Sequence, residues 1–274
     1  MIQRSGLDFM SLKPKTKVED LLEKLTSFSR GKVLSEFELT RYLNQAKSVV
    51  DFDAAQSWHI RGLIYFYANQ VDDMDHSFKS SLRLSRNGVI LNNAIACYMN
   101  QACLSQAFEL FQENSLYFIE TIRDFDLVIK LHRLALNLYE IDTINKLIEI
   151  ITPFNNIVEI QNIIGVINQE VEKVVQRYLA PTELDWNDAK KIANQALCVL
   201  KEQKLRPSSV VEIDFLDGEV VNGFYILSDV KTILEANDLL FEKIYTQDLL
   251  DTWNKLMFIF ICADNSALTT KDVA

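Results

Sequence analysis

Three histidines, four cysteines and a surplus of carboxylates are the side chains of this sequence that could do chemistry. Metal-assisted hydrolysis needs imidazoles and acids at fixed helical spacing. His59, His76 and His132 lie far apart, and none falls in an HExxH pattern. Asp72-Asp73-Met74-Asp75-His76 gathers the right residue types for a divalent cation. Acids in the first turn of a helix also meet the positive end of its dipole, which accounts for Asp72 and Asp73 without a metal. The EF-hand spacing is absent. Cys97, Cys103, Cys198 and Cys262 form no CxxC pair, and a Cys–His nucleophile would need Cys97 or Cys103 beside a distant imidazole. Their settings predict buried, inert free thiols. No GxSxG, GxxxxGK[ST] or GxGxxG occurs, and seven glycines leave little for a phosphate-cradling loop. Asp124/Asp126 and Glu212/Asp214 are carboxylate pairs, but the second decorates the outer face of a strand. The expectation is therefore no catalytic residue, no cofactor and no metal.

Charge narrows the partners. Acids outnumber bases 38 to 28, giving a net charge of −10. Phosphate backbones and anionic membranes are bound by Lys and Arg, so direct contact with either is disfavoured. Phe215, Phe224, Tyr225, Phe258 and Phe260 could resemble a base-stacking platform. The same hairpin carries Glu212, Asp214, Asp217 and Glu219 where such platforms carry bases, so the rings read as core. The N-terminus lacks the apolar run of a signal peptide, and LMFIFICA and IEIIT are too short to span a bilayer. With reduced thiols, this predicts a cytoplasmic protein.

These side chains must be positioned by helices. Only seven Gly and four Pro interrupt 274 residues, of which 49% are apolar. Thr16-Lys17-Val18-Glu19 and Ser35-Glu36-Phe37-Glu38 are capping boxes. Leu21, Leu22, Leu25 and Phe28 follow the first, up to Gly31. Tyr42, Leu43, Ala46 and Val49 follow the second. Residues 54–88 read as two antiparallel helices joined around 69–72. Trp58, Gly62 and Tyr65 share one face of the first helix, and Phe78, Ser81 and Leu82 line the second.

This large–small–aromatic pattern resembles a tetratricopeptide (TPR) repeat. It departs at Met74, where the family prefers a small residue, and at Arg86, where a proline often closes the unit. Ala96 follows Gly62 by 34 residues, the family period, within a second unit at Val89–Asn114 whose second helix is lined by Ala107, Leu110 and Phe111. A third unit runs through Leu127, Leu131, Leu134, Ala135 and Leu138, then Ile144, Leu147, Ile148 and Ile151 before Pro153. The resemblance covers residues 36–153 and is specific at 55–88. It implies stacked hairpins whose first helices line a concave groove. The residues it points to are Gln56, His59, Tyr67 and Asn69, with Asn92, Asn93 and Asn100 from the next unit. Side-chain amides there could clamp a peptide backbone, or could simply be solvated.

Ile157, Ile160, Ile164, Ile167, Val171, Val174 and Tyr178 then form a heptad seam. It fits a long helix closing the stack, or the seam of a homodimer. Pro181 marks a boundary. Asp185 caps a helix with Trp186, Ile192, Ala193, Ala196, Val199 and Leu200 inward. Val211, Ile213 and Phe215 alternate as a strand, Asp217-Gly218 signals a hairpin, and 220–227 return. Asp229 caps a helix bearing Val230, Ile233, Leu234, Leu240, Phe241 and Ile244, and LMFIFIC reads as a third strand.

The predicted fold is mainly α: a flexible arm at 1–15, a TPR-like helical domain at 16–180 ending in a long helix, a small α+β domain at 181–265 with a three-stranded sheet, and a frayed tail at 266–274. The expected function is a non-catalytic protein-interaction module: an adaptor, inhibitor or chaperone-like carrier. It would hold a partner protein or peptide through the groove, the C-terminal domain or both. Two alternatives are an enzyme of unfamiliar type in the α+β domain and an acidic decoy for a nucleic-acid-binding protein.

Overall fold

The computed structural model describes residues 17–28, 32–48, 50, 53–216, 219–226 and 228–262, with the side chains of 17, 18 and 208–220 excepted. The readings at Thr16, Gly31, Val49, Asp217 and Gly218, at the two termini and at the side chains of Val211, Ile213 and Phe215 lie outside the described residues. The chain is mainly helical with a small sheet. Among the described residues no helix is long and apolar enough to cross a membrane.

Helices α1 (Lys17–Thr26) and α2 (Glu36–Lys47) lead in. The capping box at α2 forms: Glu38 N–H donates to Ser35 Oγ at 3.3 Å, and Ser35 N–H donates to Glu38 Oε2 at 3.0 Å. That backbone bond, helped by Lys32, lowers the Glu38 carboxyl to about 2.

Three hairpins follow. They are α3 (Ala54–Tyr67) with α4 (Val71–Leu84), α5 (Gly88–Asn100) with α6 (Leu104–Glu113), and α8 (Phe125–Asn137) with α9 (Ile141–Ile151). A short α7 (Ser115–Tyr117) and a π-helical turn at Phe118–Ile122 bridge the last two. The first hairpin closes on a glycine. A Cβ on Gly62 would stand 2.7–2.9 Å from the ring of Phe78, which is fully buried. Two hydroxyls tie neighbouring helices: Ser57 Oγ donates to Ala46 O at 2.8 Å, and Ser81 Oγ to Ala55 O at 2.7 Å.

All three hairpins turn in the same way. Asn69, Ala102 and Tyr139 each take a left-handed conformation, with φ of 55°, 53° and 57°. The next amide reaches back five residues in each case: Gln70 to Tyr65 O, Cys103 to Tyr98 O and Glu140 to Ala135 O, at 2.9–3.0 Å. This is a Schellman-type closure, which satisfies carbonyls the helix end would leave open. Left-handed backbone costs a residue with a Cβ about 1–2 kcal/mol, and only Asn69 belongs to the types that visit it readily.

The same closure ends the helix α12 (Trp186–Glu202) at Lys204, where φ is 51° and Leu205 N–H meets Leu200 O at 2.8 Å. Lys204 is exposed. Lys204→Gly is expected to stabilise the protein by about 1 kcal/mol and raise the melting midpoint by about 2–4 °C in a thermal scan.

Helix α10 (Val158–Val174) lies against α8, then passes through a π-helical segment (Val175–Leu179) into a short α11 (Ala180–Thr182). Beyond α12, strand β1 (Pro207–Leu216) pairs antiparallel with β2 (Glu219–Ile226), as in Val211 opposite Phe224. Strand β3 (Leu256–Cys262) pairs parallel with β2, from Val220 opposite Leu256 to Ile226 opposite Cys262. A parallel neighbour needs a crossover, which α13 (Val230–Thr246) and α14 (Leu250–Lys255) supply. Phe224, Phe258 and Phe260 are buried and stack at 5.8–6.1 Å, so these rings are core. The outer edge of β3 is closed by one side chain. Phe260 N–H donates to Asn237 Oδ1 at 2.8 Å, and Asn237 Nδ2 donates to Phe260 O at 2.9 Å.

The C-terminal elements dock on the turn ends of the hairpins. Strand β1 touches α5 and α8. Asn222 Nδ2 on β2 donates to the hydroxyl of buried Tyr139 at 3.2 Å, and Lys190 on α12 pairs with Glu140 at 2.8 Å. Asn69 Nδ2 donates to Lys204 O at 2.9 Å.

Candidate interaction surface

The seven residues read as a groove do not form one free row. His59 sits on α3, a helix apolar nearly all round and enclosed by α1, α2, α4 and α5, and it is buried. Its Nδ1 lies 3.2 Å from Gln56 Oε1 and its Nε2 lies 3.1 Å from Asn93 Nδ2. An amide nitrogen only donates, so Nε2 accepts and the proton is on Nδ1. Gln56, His59 and Asn93 are thus one hydrogen-bonded chain joining the first two hairpins.

The other four are placed elsewhere. Asn92 Nδ2 donates to Asp124 Oδ2 at 2.7 Å, across to the cap of α8. Asn100 is exposed and donates to Ala96 O of its own helix at 2.8 Å. Tyr67 and Asn69 lie at the seam with the C-terminal elements, beside a cleft of roughly 260 Å³ that Lys204, Leu205 and Arg206 help to line. The amides therefore clamp the chain's own backbone and side chains.

Burial decides the charge state of the imidazoles. Desolvation lowers His59 to about 4. His132 on α8 is also lowered by desolvation, which outweighs the Glu170 carboxylate 3.1 Å from its Nε2. Both are neutral when folded at neutral pH. As pH falls below about 6.5 the unfolded chain takes up protons that the folded chain refuses, so stability falls. The window for His59 runs from 6.5 down to about 4 and is worth about 3 kcal/mol. Urea midpoints measured across this range are expected to drop with falling pH, and His59→Gln is expected to flatten the drop.

The acidic run at α4 is dispersed. Asp72 and Asp73 are exposed on the first turn. Asp75 accepts from Tyr98 Oη at 2.9 Å and pairs with Lys79 at 3.0 Å. The ring of His76 rests edge-on against Trp58 at 5.4 Å. Among the described residues no group of three or more His, Cys, Asp or Glu is placed to hold a metal ion.

The cysteines divide. Burial pushes the Cys97 thiol up to about 12 and Cys103 to about 11. Cys198 and Cys262 are exposed, against the expectation of four buried thiols. Cys198 precedes the inward pair Val199–Leu200 and turns outward, and Cys262 ends β3.

The heptad seam is used within the chain. Ile160, Ile167 and Val174 are buried, and Ile157, Ile164, Val171 and Tyr178 pack against the same core. Helix α10 turns this stripe to α8, where Glu170 also reaches Arg133 at 3.0 Å. Much of the stripe is thus spent within the chain.

One surface escaped the sequence reading. Helix α13 carries two apolar stripes. Ile233, Ala236, Leu240 and Ile244 are buried, whereas Val230, Leu234, Phe241 and Tyr245 are 62%, 59%, 48% and 63% exposed. A helix on a protein surface needs one apolar stripe, so the second was a signal available in the sequence. No protein-family model, curated protein or solved structure matches this chain.

Proposed function

We propose that this chain is a non-catalytic protein-interaction module, an adaptor, inhibitor or carrier. In this reading a TPR-like pile of hairpins carries a small α+β unit with a three-stranded sheet, and the assembled surface holds a partner protein. The observation that carries the reading is the succession of three helical hairpins, α3–α4, α5–α6 and α8–α9, whose turns at Asn69, Ala102 and Tyr139 are spaced by 33 and then 37 residues. Repeated hairpins bury their faces on one another and leave a long scaffold for a partner. The His59 and Asn92 bridges between successive units support the same stacking. With the amides engaged internally, the contact area falls to the outer faces, the C-terminal unit included.

The test is affinity capture of the tagged full-length chain from the cells that make it. A protein recovered near one-to-one and retained through salt washes is the expected result. Recovery of the bare chain across all washes would overturn the reading.

A further inference from the structure

We propose that the outer face of α13 is the docking site for an amphipathic helix of a partner protein whose apolar stripe is flanked by lysine or arginine. The inference rests on the interaction-module reading and says where and what the module binds. At about 100° per residue, Val230, Leu234, Phe241 and Tyr245 fall within roughly 60° of one another. They form a ridge of two exposed apolar pairs, Val230 with Leu234 and Phe241 with Tyr245, along one side of the helix. The ring of Trp253 on α14 stands edge-on to Phe241 at 5.6 Å and widens the ridge at one end. Single exposed apolar residues are ordinary on a folded surface, but a ridge of four on one helix marks a contact surface. Its spacing of four, seven and four residues is the spacing another helix reads.

Charge chooses the occupant. One border of the ridge is the buried stripe. The other carries Asp238 and Glu242, and Asp248 follows at the helix end, all three exposed and without an ion-pair partner among the described residues. The two lysines of α13 each have a carboxylate partner: Lys231 pairs with Glu235 at 3.6 Å and Lys243 with Glu202 at 2.7 Å. A second copy of the chain is a poor occupant, because a two-fold contact would set these acids against themselves. An anionic membrane is repelled for the same reason. A helix with a leucine-rich stripe and basic flanks satisfies both the ridge and its border.

The test uses two fluorescein-labelled helical peptides with the same leucine stripe, one flanked by lysines and one by glutamates, titrated against the full chain by anisotropy. The lysine peptide is expected to bind at least about tenfold more tightly, and high salt is expected to narrow the difference. The exposed double variant Leu234→Glu/Phe241→Glu is expected to lose about tenfold or more in affinity. Asp238→Lys/Glu242→Lys is expected to reverse the preference between the peptides. Equal binding of both peptides, binding of neither, or wild-type affinity in the double variant would overturn the proposal. So would a dimer in sedimentation that the double variant dissolves, since the occupant would then be a second copy. A double variant that still captures the one-to-one partner from cells rejects this face and leaves the module reading standing.

Discussion

Gly62→Val is expected to destabilise the protein by about 3 kcal/mol, the cost of forcing new atoms into a filled helix interface. Even the first added atom, Cβ, would lie 2.7–2.9 Å from three ring carbons of Phe78. That ring cannot swing aside. It is fully buried, with the rings of His59 and Tyr98 each 6.2 Å away. The two γ-carbons of valine add to the overlap, and valine gains only a few tenths of a kcal/mol in helix propensity over glycine. Chemical denaturation measures the loss. Adding Phe78→Leu should restore more than 1 kcal/mol of it, because the smaller side chain vacates the space the valine needs. Independent, additive losses at the two positions would mean that α3 and α4 do not meet there.

The second large effect is expected at Arg206, which fastens the C-terminal elements to the first hairpin. Its guanidinium lies over the rings of Phe66 and Tyr67 at 4.5 and 5.5 Å. It donates to Phe66 O at 3.2 Å and to Lys32 O at 2.8 Å, across 140 and 174 residues of sequence. Burial lowers its pKa, yet a guanidinium keeps its charge. Removing a desolvated cation from two rings and two carbonyls is expected to cost about 3 kcal/mol in Arg206→Ala. Arg206→Lys should recover less than half, since an ammonium neither stacks flat nor forks to two acceptors. Unfolding midpoints of the three proteins decide the point. Equal stability of the alanine and wild-type chains would show that the docking does not depend on this residue.

The parts of the fold legible in the sequence are those that periodicity encodes. Trp58, Gly62, Tyr65 and Phe78 announced a helical hairpin because close approach needs a residue without a Cβ opposite a ring. The heptad stripe of α10 was equally plain, but a 3–4 spacing fixes only which face is apolar. It does not say whether the covering helix belongs to the same chain, and here α8 covers it.

The first turn is legible at 69–72, but the shared geometry is not, because Asn69, Ala102 and Tyr139 have one backbone conformation and no common side-chain chemistry. Tertiary packing holds Ala102 and Tyr139, both buried, in a conformation their residue types avoid. The internal bonding of the groove residues is hidden for a related reason. A polar residue on a helix by default reads as facing solvent, yet α3 has only Arg61 as a formally charged residue in AAQSWHIRGLIYFY. A helix so uniformly apolar is enclosed, and a histidine within it belongs to an internal hydrogen-bond chain. The ridge on α13 is not separated from the core face by a bare roll of its apolar residues, Val230, Ile233, Leu234, Leu240, Phe241 and Ile244. Plotted at helical spacing they occupy two adjacent stripes.

Side-chain oxidation by hydroxyl radicals tests most directly where this molecule meets a partner. Phe241 and Tyr245 should label strongly in the free chain, and buried Tyr98 and Tyr139 should not. In the complex recovered from cells, labelling at Phe241 and Tyr245 should collapse while Tyr67 keeps the rate it has in the free chain. Undiminished labelling of Phe241 and Tyr245, with protection instead along α5 and α8, would contradict the account.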